Sequence, residues 1–129
     1  MFGELIQSNT KKSLLFISGN SESGELLDTL FKMSDYETLW RNDSTSGLNQ
    51  ALISLPDFIV VDLDLPDGGA FDLVRSLRHF LEFKHKPVVA MCGDAGEEFH
   101  QVVLDAGFSR YFCKPVKFEL MDMYLKSFG

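Results

Sequence analysis

A chain of 129 residues in which 45% are hydrophobic and 24% charged has the length of one domain and enough apolar side chain to fill a core. A formal net charge of −7, with no basic patch, excludes direct binding to nucleic acid, and no apolar run approaches the roughly 20 residues that cross a bilayer. The opening MFGELIQSNTKK lacks the basic-then-apolar order of a signal peptide, so a cytoplasmic location is expected. Cys92 and Cys113 show no CxxC spacing and no His at ligand spacing, which fits reduced thiols better than a disulfide framework or a zinc site.

Residues 1–12 are mixed and polar and read as a tail, which puts the domain at residues 13–129. Leu14 to Ile17 is a first strand, too short and too uniformly apolar for a helix, and it stops at Ser18-Gly19-Asn20. Ser21 or Ser23 can cap a helix in which Leu26, Leu27, Leu30 and Phe31 recur at helical spacing. Tyr36 to Trp40 is a second, more polar strand, as suits a sheet edge. Asn42-Asp43-Ser44 then offers cap residues for a helix whose apolar stripe is Leu48, Ala51, Leu52 and Leu55, closed by Pro56.

The third strand is the centre of the pattern. Phe58-Ile59-Val60-Val61 is a continuous apolar run, the pattern of a strand covered on both faces, and it ends on the carboxylate of Asp62. Pro66 and Gly68-Gly69 force the chain out through a tight loop that holds Asp62 at the rim of the sheet. Phe71, Val74, Leu77 and Leu81 predict an amphipathic helix, with Lys84, His85 and Lys86 near its end, where cations suit the helix dipole. Pro87 to Met91 is a fourth buried strand. Glu97 and Glu98 open a helix carrying Phe99, Val102, Val103 and Ala106, and Gly107 supplies its stop. Arg110 to Cys113 is a short last strand before Lys114-Pro115, and Leu120, Tyr124 and Phe128 predict the inward face of a closing helix.

Five strands alternating with five helices predict an α/β fold: a doubly wound parallel sheet in the order 2-1-3-4-5 with helices on both faces. In that order the rim residues at the carboxyl ends of the strands are Ser18 and Gly19, Asp62, Cys92 and Lys114. Ligands bind at this edge in open parallel sheets.

These residues, in this order, resemble the receiver domain of bacterial response regulators from Ser13 to Phe128. The matching pieces are PD-FIVVD-LDL-P, KPVVAM, DAGFSRYFCKP and an E-L pair in the last helix. The resemblance implies the flavodoxin-like receiver fold, no enzymatic activity of its own, and a place in a two-component phosphorelay. It implies Asp62 as phospho-acceptor, Lys114 as the lysine that pairs with it and with a phosphoryl group, and Tyr111 as the aromatic switch. Cys92 falls where the family has a Ser or Thr that follows the phosphoryl oxygen, and Ala70 where it usually has Gly. The face of the fourth helix, last strand and last helix is where receivers meet partners. Here it would carry His100, Gln101, Arg110, Tyr111, Lys117 and Met121. A histidine kinase, a phosphotransfer protein, a downstream effector or a second copy in a homodimer would be the partner.

Receivers place two acidic residues at the end of the first strand to hold magnesium, and this chain has Ser18 and Gly19 there. Magnesium needs anionic oxygens to compete with its hydration water, and Asp62 and Asp64 offer little against Lys114. The expectation is therefore an atypical receiver, a protein-interaction module with no cofactor unless the reduced pocket still holds Mg2+. A receiver phosphorylated on Asp62 despite the missing acids is the first alternative. The loop SGNSESG supplies a second from another class, a flavin- or phosphate-binding carrier, since Ser and Gly before a helix N-terminus can cradle a phosphate. His79, His85 and His100 are expected at the solvated surface.

Overall fold

The computed structural model describes residues 11–93 and 96–128. Strands β1 (Lys12–Ile17), β2 (Tyr36–Arg41), β3 (Phe58–Asp62), β4 (Val88–Cys92) and β5 (Arg110–Cys113) form one parallel sheet in the order β2-β1-β3-β4-β5. They alternate with helices α1 (Glu22–Met33), α2 (Ser44–Ser54), α3 (Ala70–Arg78), α4 (Glu97–Ala106) and α5 (Phe118–Lys126). This is the architecture the alternation predicts. From β1 the chain first moves outward to β2, then crosses back to β3 on the other side, so the carboxyl ends of β1 and β3 flank the point where the winding reverses.

Side chains alternate across a strand, and the alternation divides the core in two. Leu15, Ile17, Ile59, Val61, Val88 and Ala90 face α2, α3 and α4, where they meet Ala51, Val74, Leu77 and Val103. Leu14, Phe16, Phe58, Val60, Val89 and Met91 face α1 and α5, where they meet Phe31, Met121 and Leu125. Both faces of β1, β3 and β4 are covered, which is why their sequences show apolar runs rather than alternation. Phe31 ties the second core together through edge-on contacts with Phe16, Tyr36 and Phe118.

The caps follow the sequence. Ser21 opens α1 by accepting from the Gly24 N–H at 3.0 Å, and Asp43 opens α2 by accepting from the Ser46 N–H at 2.8 Å. Gly107 ends α4 at φ 124°, a conformation that a side chain would strain. Gly47 lets α2 approach the sheet: a methyl group there would stand 2.6 Å from Ile17 Cδ1.

Several expectations are corrected. Lys12 opens β1 and so belongs to the sheet, while residues 1–10 of the expected tail lie outside the described residues. Leu26, Leu52, Leu55 and Val102 are exposed, so the predicted stripes of α1, α2 and α4 are narrower than the spacing suggests. Helix α3 ends at Arg78, not beyond Leu81, and Leu81 is 79% exposed in a short 3-10 turn (Leu81–Phe83) that buries Phe83 instead. Arg78 causes the break: its guanidinium donates to the carbonyls of Phe83, Lys86 and Gly107, pulling the following chain across the helix end. In α5 the buried residues are Met121 and Leu125. Leu120 and Phe128 are 53% and 48% exposed. The inward face is rotated by one residue because Phe118 seats against Phe31.

Candidate functional site

Asp62 ends β3 at the reversal point, buried but for the tip of its carboxylate. Four hydrogen bonds from three donor groups converge on it. The Asp64 N–H donates to Oδ1 at 2.9 Å, the Ser18 hydroxyl donates to Oδ2 at 3.2 Å, and Lys114 Nζ donates to both oxygens at 2.8 and 2.9 Å. Lys114 also reaches Asp64 Oδ2 at 3.3 Å, so one ammonium serves two carboxylates. Burial is the largest single influence on Lys114 and lowers its pKa, but hydrogen bonding and charge from Asp62, then Asp64, outweigh it. The net direction is upward, and the ammonium is held firmly charged.

Each element fixes its own residue. Ser18 is buried at the end of β1, with its N–H donating to Arg41 O and its carbonyl accepting from Trp40 Nε1 at 2.7 Å. Gly19 follows, and a Cβ there would stand 3.1 Å from Pro66 Cγ, so the loop after β1 passes close to the loop after β3. Lys114 is anchored by its N–H, which donates to Cys92 O at 2.7 Å and continues the β4 to β5 ladder past the last residue of β5. The Lys114-Pro115 bond is cis. Past Asp62 the loop turns at Gly68, at φ 69°, whose N–H donates to Leu65 O. It is then tied down by Asp67, which accepts from the Ser44 hydroxyl and N–H at 2.6 and 3.0 Å.

The structure brings Ser18, Asp62 and Lys114 of the expected rim together and adds Asp64 from the loop after β3. It sets Cys92 and Tyr111 beside them in a second group. The Tyr111 ring packs on His100 with centroids 4.0 Å apart, and its hydroxyl donates to Gly93 O at 3.4 Å. Burial pushes the Cys92 thiol up from its ordinary value. Burial, followed by the hydrogen bond from Cys113, raises Tyr111 as well. Ala70 is buried in the first turn of α3. On the expected partner face His100, Gln101, Arg110, Tyr111 and Lys117 keep some exposure, but Met121 is 0% exposed and belongs to the core. Leu120 and Met123 present apolar surface there in its place.

The site also has a cleft that the sequence pattern does not disclose. A cleft of about 400 Å³ opens beside Asp62 and Lys114, walled by Leu27, Leu30, Met91 and Val116. Its signal is the half-buried Leu27 and Leu30, which are apolar residues of α1 with no complete cover. Among the described residues no three His, Cys, Asp or Glu side chains group in a way that could hold a metal ion. Among the described residues, the side-chain oxygens that share hydrogen bonds or the Lys114 ammonium with Asp62 are those of Ser18 and Asp64. The Ser-Gly loop after β1 is engaged otherwise: Ser21 caps α1 and Ser23 bonds to Ser21 at 3.3 Å.

A buried aspartate ending the central strand of a 2-1-3-4-5 sheet, clamped by a lysine from the end of the last strand, is the site of a signalling receiver. The chain belongs to the response regulator receiver domain family, whose model matches residues 15–126. It is 26% identical over 117 residues to the polar-differentiation response regulator DivK of Brucella anthropi, covering 91% of this chain and 95% of that protein. The DivK of Brucella abortus is similar to the same extent. Among solved structures, the chemotaxis response regulator CheY4 of Vibrio cholerae superposes with a TM-score of 0.83 at 19% identity, over 92% of this chain and 98% of that one. The receiver domain of the sensor histidine kinase PA1611 of Pseudomonas aeruginosa, with a magnesium ion coordinated in its active site cleft, superposes with a TM-score of 0.82 at 19% identity, over 92% and 97%. Two-component signal transduction is therefore the setting, and the flavin-carrier reading is set aside.

Proposed function

We propose that this receiver works as a signalling interaction module in which the acceptor site is held by an ion pair rather than by a metal, and in which metal-dependent phosphorylation of Asp62 is slow. The observation that carries the reading is the occupancy of Asp62: both carboxylate oxygens are engaged by Lys114 Nζ, and a neutral hydroxyl, Ser18, stands where a carboxylate would be needed. The donor set does not fit magnesium. Two carboxylates and one ammonium leave a net charge of −1, and magnesium requires near-ideal octahedral oxygen geometry with strong anionic donors. In this reading Lys114 does the electrostatic work alone: it neutralises Asp62, fixes the β5 to α5 connection over the site and orders the loops a partner would meet. Histidine kinases, phosphotransfer proteins and effectors are the partner classes, and the exposed residues of α4, β5 and α5 form the surface offered to them.

The retained Asp62–Lys114 pair supports a second reading, a receiver that still accepts a phosphoryl group. One comparison decides between them. The parent protein and Ser18→Asp are incubated with a small acyl phosphate and millimolar magnesium, and phosphorylation is read by intact mass, with Asp62→Asn as the blank. The module reading expects Ser18→Asp to be modified at Asp62 much faster than the parent. Equal rates would establish the phospho-accepting receiver instead. In amide NMR the parent should show no saturable shift at Ser18, Asp62 or Asp64 as magnesium is added.

A further inference from the structure

Cys92 and Cys113 are Cα partners in the register of β4 with β5. Paired residues of neighbouring parallel strands point to the same side of the sheet, and the alternation here puts both on the side of Ala90 and Tyr111. The Tyr111 hydroxyl lies next to this pair, accepting from Cys113 Sγ at 3.5 Å. Strands in a sheet lie about 4.8 Å apart, inside the Cα separation of roughly 4.4–6.8 Å that a disulfide spans. The two thiols differ in access: Cys113 lies exposed on the edge strand and Cys92 is buried. The Lys114 N–H to Cys92 O bond fixes the two strand ends against each other, so closing a bond between the thiols requires little backbone movement.

We propose that Cys92 and Cys113 form a peroxide-sensitive dithiol, oxidised to an intramolecular disulfide across the β4–β5 ladder. A hydroperoxide supplies the oxidising equivalents. The Cys113 thiolate attacks one peroxide oxygen; the O–O bond breaks, an S–O bond forms, and the leaving oxygen departs as water after taking up a proton. The Cys92 sulfur then attacks the sulfenic sulfur of Cys113, forming S–S and breaking S–O, and its proton leaves with the second water. Two thiols and one hydroperoxide thus give one disulfide, one water and one further molecule of water or alcohol. The solvent-facing Cys113 takes the first oxidation and the sheltered Cys92 resolves it. Oxidation removes the Cys113 S–H that now donates to the Tyr111 hydroxyl, so the setting of Tyr111 changes and redox state becomes an input to the partner face.

The test uses the full chain in native buffer with a small excess of hydrogen peroxide. The expected product is monomeric and about 2 Da lighter; proteolysis without reduction should yield one peptide pair joining Cys92 to Cys113, and dithiothreitol should restore the parent mass. Cys92→Ser should instead stop at a sulfenic acid on Cys113, about 16 Da heavier and trapped by dimedone. Cys113→Ser should react far more slowly. A disulfide-linked dimer, oxidation beyond the sulfenic stage on Cys113 with no joined peptide, or joining only in denaturant would each overturn the proposal. The parent measurement stands by itself should either variant fail to fold.

Discussion

Lys114 is one-third exposed and shared between two carboxylates, while the Asp62 side chain is only 12% exposed. Lys114→Ala therefore strands the more buried partner, and a cost of about 1–2 kcal/mol is expected after allowing for solvent screening of the lysine. Removing both partners should cost less than the two single changes together, and strict additivity in a double-mutant cycle by urea unfolding would show that they do not interact. The pH dependence has a definite sign. The folded-state pKa of Lys114 is raised, so its contribution is fully present at neutral pH and is lost as pH climbs past its ordinary value of 10.5. The stability difference between parent and Lys114→Ala should therefore narrow only in that alkaline range. Restoring acids at the β1 end also has a residue-level cost. Gly19 does not sit at positive φ, so Gly19→Asp is opposed by contact with Pro66 rather than by backbone angle, and Ser18→Asp is the cleaner change. Asp62 and Lys114 are legible in the sequence because D-x-x-x-P and K-P fix them to strand ends. The bond from Ser18 to Asp62 is not, since side-chain direction at a strand end depends on the neighbouring loops. Nor is the pairing of Cys92 with Cys113, which needs the strand register.

Among the elements, α5 is the least legible. Its nine residues carry two apolar stripes, Leu120-Tyr124-Phe128 running past its end and Phe118-Met121-Leu125, and the polar residues Glu119, Asp122 and Lys126 lie opposite the first, which makes it read as the inner one. Tertiary contact with Phe31 selects the second. Met121→Ala should then cost about 2–5 kcal/mol and Leu120→Ala well under 1, read by chemical denaturation. Tyr36 on β2 supplies the polar tie to the same helix, donating to Asp122 Oδ1 at 2.6 Å. Burial, then this hydrogen bond, raises its pKa, so the tie persists below the phenol's usual range and fails as pH rises through the elevated value. Tyr36→Phe keeps the ring against Phe31 and Phe58 but leaves Asp122 without that donor; a loss of about 1 kcal/mol is expected. Helix α3 is misjudged for a different reason: a helical spacing continues to Leu81, but a single arginine at the helix end finds three carbonyl partners outside it.

Across the molecule, strand order and both covered faces are readable because a parallel sheet requires apolar runs on its inner strands. The division into two cores was not readable, because a continuous run does not say which residue faces which side. Leu14 and Leu15 are neighbours in sequence, each 1% exposed, and lie in opposite cores. Truncating either to alanine should cost a similar amount, about 2–5 kcal/mol. Both should shift one transition, with near- and far-ultraviolet dichroism unfolding together, because the sheet is common to the two cores. Gly47→Ala tests the spacing of the layers: the added methyl meets Ile17, and a loss of about 1–3 kcal/mol is expected from overpacking.

Asp67 links the loop that follows the acceptor strand to the first turn of α2, through the hydroxyl and N–H of Ser44. That attachment makes Ser44 a reporter. Its amide donates to the Asp67 carboxylate across the gap between α2 and the loop beyond Asp62, whereas the loop's own amides at Gly68 and Gly69 bond within the loop, so deuterium uptake at Ser44 times the undocking of the loop from α2. The Ser44 hydroxyl bond, foremost among several, lowers the Asp67 pKa, so the dock holds above the ordinary carboxylate range and loosens as pH falls through the depressed value. Uptake at Ser44 should accelerate in that acid window once the intrinsic pH dependence of exchange is divided out, and Asp67→Asn should remove the acid-triggered step.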